Sequence, residues 1–171
     1  ITDIDEDSWT DQVQIIGWLY QYYIQMPKDK LIHAKKQYRN DDVPFVTQLF
    51  TPDWIVRYLV ENTLGNYYVR KNPNTDLIND WKYFIKNNST ENSLKKLEDI
   101  KLIDPCMGSG HILVYAFDVF MGIYESEGWN PRDAAVSILQ NNLYGLDIDK
   151  RAYQLSYFAL MMRLDNTTEE S

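Results

Sequence analysis

The sequence predicts an α/β protein in which a helical amino-terminal segment precedes the start of a parallel, doubly wound sheet. Three observations point there. From Ile100 onward, short apolar runs and amphipathic stretches follow in the order strand, helix, helix, strand, helix, which is the pattern of parallel strands joined by crossover helices. A glycine-containing turn, Asp104-Pro105-Cys106-Met107-Gly108-Ser109-Gly110-His111, separates the first strand from its helix. An acid, Asp147, closes the second strand.

In chain order, an acidic lead is followed by apolar residues at Val13, Ile16, Leu19, Tyr20, Tyr23 and Ile24, whose spacing of three and four predicts an amphipathic helix over Trp9 to Met26. Pro27 to Asp42 reads as a polar, locally basic link containing Lys28, Lys30, Lys35, Lys36 and Arg39. Thr51-Pro52-Asp53 combines a capping residue, a proline suited to the first helical position and an acid in the first turn, so a helix is expected to run to about Leu64 and stop at Gly65. Residues 66–99 are rich in Asn and weakly patterned. They read as an insertion with one short helix around Trp81, Phe84 and Ile85. Ile100 to Ile103 then reads as a buried strand, His111 to Tyr124 as a helix, Asn130-Pro131 to about Gln140 as a second helix, and Leu143 to Leu146 as the second strand. Asp149 is expected to cap a last helix from Lys150 to about Leu164. The organisation expected is a helical segment at 1–65, the insertion at 66–99, and the first half of a ligand-binding sheet domain at 100–171.

Composition narrows the function. A 44% hydrophobic and 25% charged chain of 171 residues can bury a core, and wholesale disorder is excluded. Lys and Arg number 17 against 25 acids, giving a net charge of −8, so any phosphate-backbone contact should rest largely on regions other than this one. One cysteine, Cys106, excludes an internal disulfide, and with only His33 and His111 there is no Cys/His zinc pattern. No run reaches the 18 or so apolar residues of a membrane helix and no export signal opens the chain, so a cytoplasmic location is expected. The start at Ile1 and the polar run from Asp165 to Ser171 suggest a piece of a longer protein.

The chemistry concentrates at the strand ends. In open parallel sheets a ligand approaches the backbone at a glycine-rich turn, and a later acid grips its ribose. A dinucleotide site usually wants Gly-x-Gly-x-x-Gly and its acid about 20 residues on. Here Leu113 stands at the third glycine's place, and Asp147 follows Gly110 by 37 residues with an extra helix between. An acid at the turn itself, Asp104, would repel a pyrophosphate but attract a ligand with cationic groups and a ribose diol. S-adenosylmethionine, with its ammonium, sulfonium and ribose, fits that description. Cys106 reads as a small packed residue rather than a nucleophile, His111 as a helix-start residue, and Asp149 as a cap and not a metal ligand.

Phe50-Thr51-Pro52, the 104–111 turn and Tyr144-Gly145-Leu146-Asp147-Ile148-Asp149 resemble, in that order, the cofactor motifs of gamma-type adenine-N6-specific DNA methyltransferases. The longer text around Ile15 to Tyr23 and Val46 to Val56 is more narrowly similar to the methyltransferases of bacterial BREX phage-defence systems and to large fused restriction-modification enzymes. The resemblance covers about Ile15 to Leu164. It implies a Rossmann-like S-adenosylmethionine-dependent fold. In it Thr51 and Pro52 lie at the methionine end, Asp104, Cys106, Gly108 and Gly110 shape the pocket, Asp147 holds the ribose and Ile148 flanks the adenine. It also implies double-stranded DNA and possible further defence subunits as partners, engaged through regions outside this sequence, with neither a metal nor a membrane.

One departure stands out. The family's catalytic loop, Asn/Asp-Pro-Pro-Tyr/Phe, does not occur here. The nearest text, Asn72-Pro73-Asn74, lacks the second proline and the aromatic, and it precedes the glycine turn. In the gamma order the loop should follow Asp147, so no catalytic residue is assigned and the chain is expected to be inert alone. In that family the loop's Asn and Pro accept the hydrogens of a flipped adenine's amine while the aromatic stacks on the base. The alternatives are a methyltransferase acting on RNA, protein or a small molecule, and a non-catalytic assembly subunit that docks through its Tyr/Trp-rich first helix.

Overall fold

The computed structural model describes residues 7–34, 37–39, 42–86 and 96–169, with side chains described from residue 19 onward except at 26, 168 and 169. Residues 1–6 of the acidic lead, Lys35 and Lys36 of the basic link, residues 87–95 of the Asn-rich run, the side chains of Val13, Ile16 and Trp18, and the last two residues lie outside the described residues.

The chain is mostly helical around a small parallel sheet. Helix α1 spans Asp7–His33, α2 Val43–Thr47 and α3 Asp53–Val60. A π-helical turn, Glu61–Gly65, leads directly into α4, Asn66–Val69. Single 3-10 turns at Asp76–Asp80 and Leu97–Asp99 precede β1, Leu102–Asp104. Then come α5 (His111–Ser126), α6 (Pro131–Ser137) with its π-helical extension Ile138–Asn142, β2 (Leu143–Gly145) and α7 (Lys150–Glu169). The strands pair in parallel, with Leu102, Ile103 and Asp104 opposite Leu143, Tyr144 and Gly145. Strand–helix–helix–strand–helix, as expected from the sequence, is therefore the order from β1 onward.

Helix α5 lies at the centre of the core, packed on α3, α6, α7 and β2. Its Phe117, Phe120, Ile123 and Tyr124 are buried together with Val60, Leu64, Ala134, Ala135 and Ile138. Each such aromatic or branched side chain contributes about 1.5–3 kcal/mol by leaving water. The buried Asn142 ties the two strand entrances together. Its amide donates to the carbonyls of Leu97 and Ile100, both at 2.7 Å, while its oxygen accepts from Tyr124 Oη at 2.9 Å.

Several boundaries differ from the sequence reading. Helix α1 continues through Pro27 to His33 where a link was expected. Tertiary contacts offset the proline: Tyr20 and Ile24 bury against Ala152, Phe45, Phe50 and Leu155, and Lys28 Nζ donates to the carbonyl of Gln48 at 2.8 Å. Thr51 does not cap α3. Pro52 stands in the cap position, and its carbonyl accepts from Ile55 and Val56. Gly65 does not stop the helix either. Its backbone is helical, and a β-carbon there would lie 2.8 Å from the ring of Trp81, so its role is to admit that indole.

The expected boundary at 65/66 thus falls inside continuous helix, and Tyr68, Val69 and Trp81 of the expected insertion are core residues. Trp81 closes the 3-10 turn Asp76–Asp80, and no helix follows it through Phe84 and Ile85. Glu61 and Asn62 take the amides of Tyr83 (2.6 Å) and Ile85 (2.8 Å), the groups a helix would use internally, and Ile85 is exposed. Helix α7 runs past Leu164 to Glu169.

Candidate functional site

Strand pairing continues beyond β1 and β2 as two loops that hold each other. Leu146 donates to the carbonyl of Asp104 at 2.9 Å, and Met107 donates back to that of Leu146 at 3.0 Å. The glycine turn then closes on itself, Gly110 donating to the carbonyl of Met107 at 2.8 Å, and α5 begins with Val114 donating to that of Gly110. Gly108 (φ +54°) and Gly110 (φ +91°) both adopt left-handed backbone that side chains disfavour. Their surroundings differ. A β-carbon on Gly110 would meet Ser156 of α7, its Cβ at 2.9 Å, whereas one on Gly108 would meet no atom within 4 Å. Gly110 is needed for packing, and Gly108 leaves an open approach to the backbone.

Asp147 joins the two loops. One carboxylate oxygen accepts from the amide of Gly108 at 2.9 Å and the other from that of Asp149 at 2.7 Å. Asp104 is buried beside it and accepts from the Cys106 amide at 3.0 Å. Burial raises the Asp104 pKa above the usual carboxylate range; the Cys106 amide pulls it back, and the Asp147 charge pushes it up again. Two neighbouring acids of which one is buried form a site electrostatically suited to a cation. Ile148, at the tip of the second turn, is 75% exposed. Cys106, in the turn that follows β1, is exposed and not packed as expected.

Asp149 caps α7 as the sequence indicates, accepting from the Arg151 amide at 3.0 Å. The same carboxylate is gripped by the Arg151 guanidinium at 3.0 and 3.1 Å and by Tyr20 Oη at 2.7 Å.

Thr51 and Pro52 line a cavity of about 460 Å³ between α3, the first turns of α5 and α7. Its wall also includes Ser109 and His111 but not Asp104, Cys106, Gly108, Gly110, Asp147 or Ile148. The residues expected in one pocket therefore occupy two adjoining regions, linked through the turn from Gly108 to His111. In this cavity Ser109 Oγ and His111 Nδ1 are 3.1 Å apart, and burial lowers the His111 pKa although the Asp53 charge opposes it.

Sequence reasoning missed the charged groups of the cavity wall: Arg57, which pairs with Asp53 at 2.7 Å and lies over the Tyr115 ring, and the Asp118–Arg163 pair at 3.2 Å. Burial pushes the Asp118 carboxyl up to about 6, against the pull of Arg163 and Arg57. The available signal was an acid in the middle of the apolar run Phe117 to Phe120. Among the described residues, no cluster of three or more His, Cys, Asp or Glu is placed to hold a metal, and no helix is long and apolar enough to cross a membrane.

Along its whole length the chain is homologous to a segment of adenine-specific methyltransferases. It is 48% identical over all of its residues to the adenine-specific methyltransferase PglX of Lacticaseibacillus casei, and 43% identical over 95% of them to the adenine-specific methyltransferase BrxX of Escherichia coli (strain HS). It spans 16% and 14% of the length of those two relatives. The resemblance read from the motifs is thereby borne out. No protein-family model matches the chain.

Proposed function

We propose that this chain is the S-adenosylmethionine-binding segment of a site-specific DNA adenine-N6 methyltransferase of a restriction-modification or phage-defence system. Its two strands begin a Rossmann-like sheet, and the whole protein works on double-stranded DNA in the cytoplasm, together with further defence subunits. The observation that carries this reading is Asp147 bridging the glycine turn and the second turn, with the buried Asp104 alongside. A carboxylate offers about four lone-pair positions. Asp147 can therefore keep both amide bonds and still receive two ribose hydroxyls. Gly108 leaves the space through which the ligand reaches the backbone. Asp104 attracts the cationic methionine end, Thr51 and Pro52 close that end, Cys106 and Gly110 shape the turn, and the exposed Ile148 covers the adenine. Bound there, S-adenosylmethionine would supply an electrophilic methyl group.

The sequence contains no Asn-Pro-Pro-aromatic text to position a target amine, so the chain alone binds but does not transfer. Assembly is a second reading, favoured by one observation: Leu19, Tyr22 and Tyr23 of α1 are exposed, Tyr22 by 70%, as a docking face would be.

Gly108→Val tests the cofactor assignment. The variant is expected to lose only about 1–2 kcal/mol of stability, from backbone strain, yet to bind S-adenosylmethionine at least about tenfold more weakly in a calorimetric titration, because the branched side chain fills the approach. Equal affinity in the variant and the parent chain contradicts the assignment.

A further inference from the structure

The turn that presents Asp147 and Ile148 is held from the far end of the chain. Tyr20, in α1, is 6% exposed and donates its hydroxyl to Asp149 Oδ2 across 129 positions of sequence. Gln48 Nε2 donates to the Tyr20 oxygen at 3.3 Å, and the Tyr20 ring meets Phe50 edge-on at 6.2 Å, so the tyrosine is fixed on two sides. Asp149, also 6% exposed, receives four donors in all, three of them from Arg151, whose guanidinium in turn lies 4.7 Å from the Phe45 ring centre. Burial would raise the Asp149 pKa, but the Arg151 and Tyr20 hydrogen bonds outweigh it and keep the carboxyl below its ordinary range. Burial and the bond to Asp149 raise the Tyr20 pKa, so the phenol stays protonated and donates. From Asp149 the chain of bonds continues through its own amide to Asp147 and from Asp147 to the amide of Gly108.

We propose that Tyr20 and Asp149 are positioning residues of the cofactor site: through them α1 sets the 147–149 turn and hence the glycine turn, so docking of α1 and binding of cofactor are coupled. This rests on the proposed cofactor function. Coupling of this kind is reciprocal, so a cofactor that needs the turn in place also holds α1 in place. A buried hydroxyl bonded to a charged acceptor is strong enough to transmit such an effect, and Phe at position 20 removes it while keeping the ring.

The test is a double-mutant cycle of Tyr20→Phe and Asp149→Asn in the full chain, with Tyr68→Phe as control. Tyr68 is another buried tyrosine, and its hydroxyl bonds Ser126 at 2.9 Å and Glu127 at 3.0 Å, away from the turns. Two quantities are read: the dissociation constant for S-adenosylmethionine, and exchange protection of the Gly108 amide without ligand. Tyr20→Phe is expected to weaken binding about three- to tenfold and to lower Gly108 protection by a similar factor. The double variant should show less than the product of the two single effects, because both act through one bond. Tyr68→Phe should leave both quantities unchanged even where its melting temperature falls as far. Unchanged Gly108 protection in folded Tyr20→Phe and Asp149→Asn chains, or fully multiplicative effects, overturns the proposal. If the parent chain binds no S-adenosylmethionine, the cofactor reading fails, and Gly108 protection alone still decides whether the relay exists.

Discussion

A Gly110→Val chain is expected to lose about 2–5 kcal/mol of its unfolding free energy in urea, the largest loss from any single change in the glycine turn. Two effects add. The left-handed backbone at φ +91° costs a residue with a β-carbon about 1–2 kcal/mol. The new side chain must also enter space held by Ser156, whose Cβ and Cα would be 2.9 and 3.0 Å from the first added atom, and overpacking of this kind costs about 1–3 kcal/mol. Because Ser156 is buried in α7, its backbone cannot swing aside as a flexible chain end could. Ser156→Gly in the same chain should recover only the part of the overpacking due to the Ser156 side chain, and leave the contact with its Cα and the backbone part. A loss at position 110 no greater than at position 108, where nothing stands within 4 Å, would show that the close contact between α7 and the turn has been misassigned.

Asp147→Ala is expected to weaken S-adenosylmethionine binding about a hundredfold or more. The side chain anchors the amides of Gly108 and Asp149 and, in the proposed complex, the ribose, and each hydrogen bond to a charged acceptor is worth about 1.5–3 kcal/mol. Asp147→Asn removes less than Ala does. Its amide oxygen can accept from one of the two loop amides, while its NH2 faces the other donor to donor and cannot accept a ribose hydroxyl, so the affinity should stay low. Titration calorimetry of the two variants measures this. Affinity equal to the parent value in the Asn chain would contradict a ribose role for the Asp147 carboxylate.

What the sequence disclosed was local chemistry. The glycine turn, the acids at the two strand ends, the Asn130-Pro131 helix start and the Asp149 cap are each written in a few adjacent residues whose conformational needs are specific, and all are found where expected. What it concealed depends on residues far apart. Pro27 reads as a stop because the packing of Tyr20 and Ile24 on Ala152 is invisible in one dimension. Gly65 reads as a helix terminator because nothing local shows that Trp81 packs on it. The polar 66–99 stretch reads as an appendage because Glu61 and Asn62, which organise Tyr83 and Ile85, precede them by 20 residues or so. The cavity's charged wall escaped for the same reason: Asp118 and Arg163 lie on two different helices and pair only in the fold. Cys106 reads as packed from its residue type, whereas the course of the turn decides its exposure.

The central claim is that the turn at 104–111 and the turn at 147–149 form one S-adenosylmethionine site. It is tested most directly by following the backbone amides of the isotope-labelled chain during titration with S-adenosylmethionine, and in parallel with NAD and ATP. Saturable shifts of Gly108, Gly110, Asp147 and Ile148 are expected with S-adenosylmethionine, and none of comparable size with the two pyrophosphate-containing ligands. Shifts confined to other parts of the chain, or an equal response to NAD, would contradict the claim.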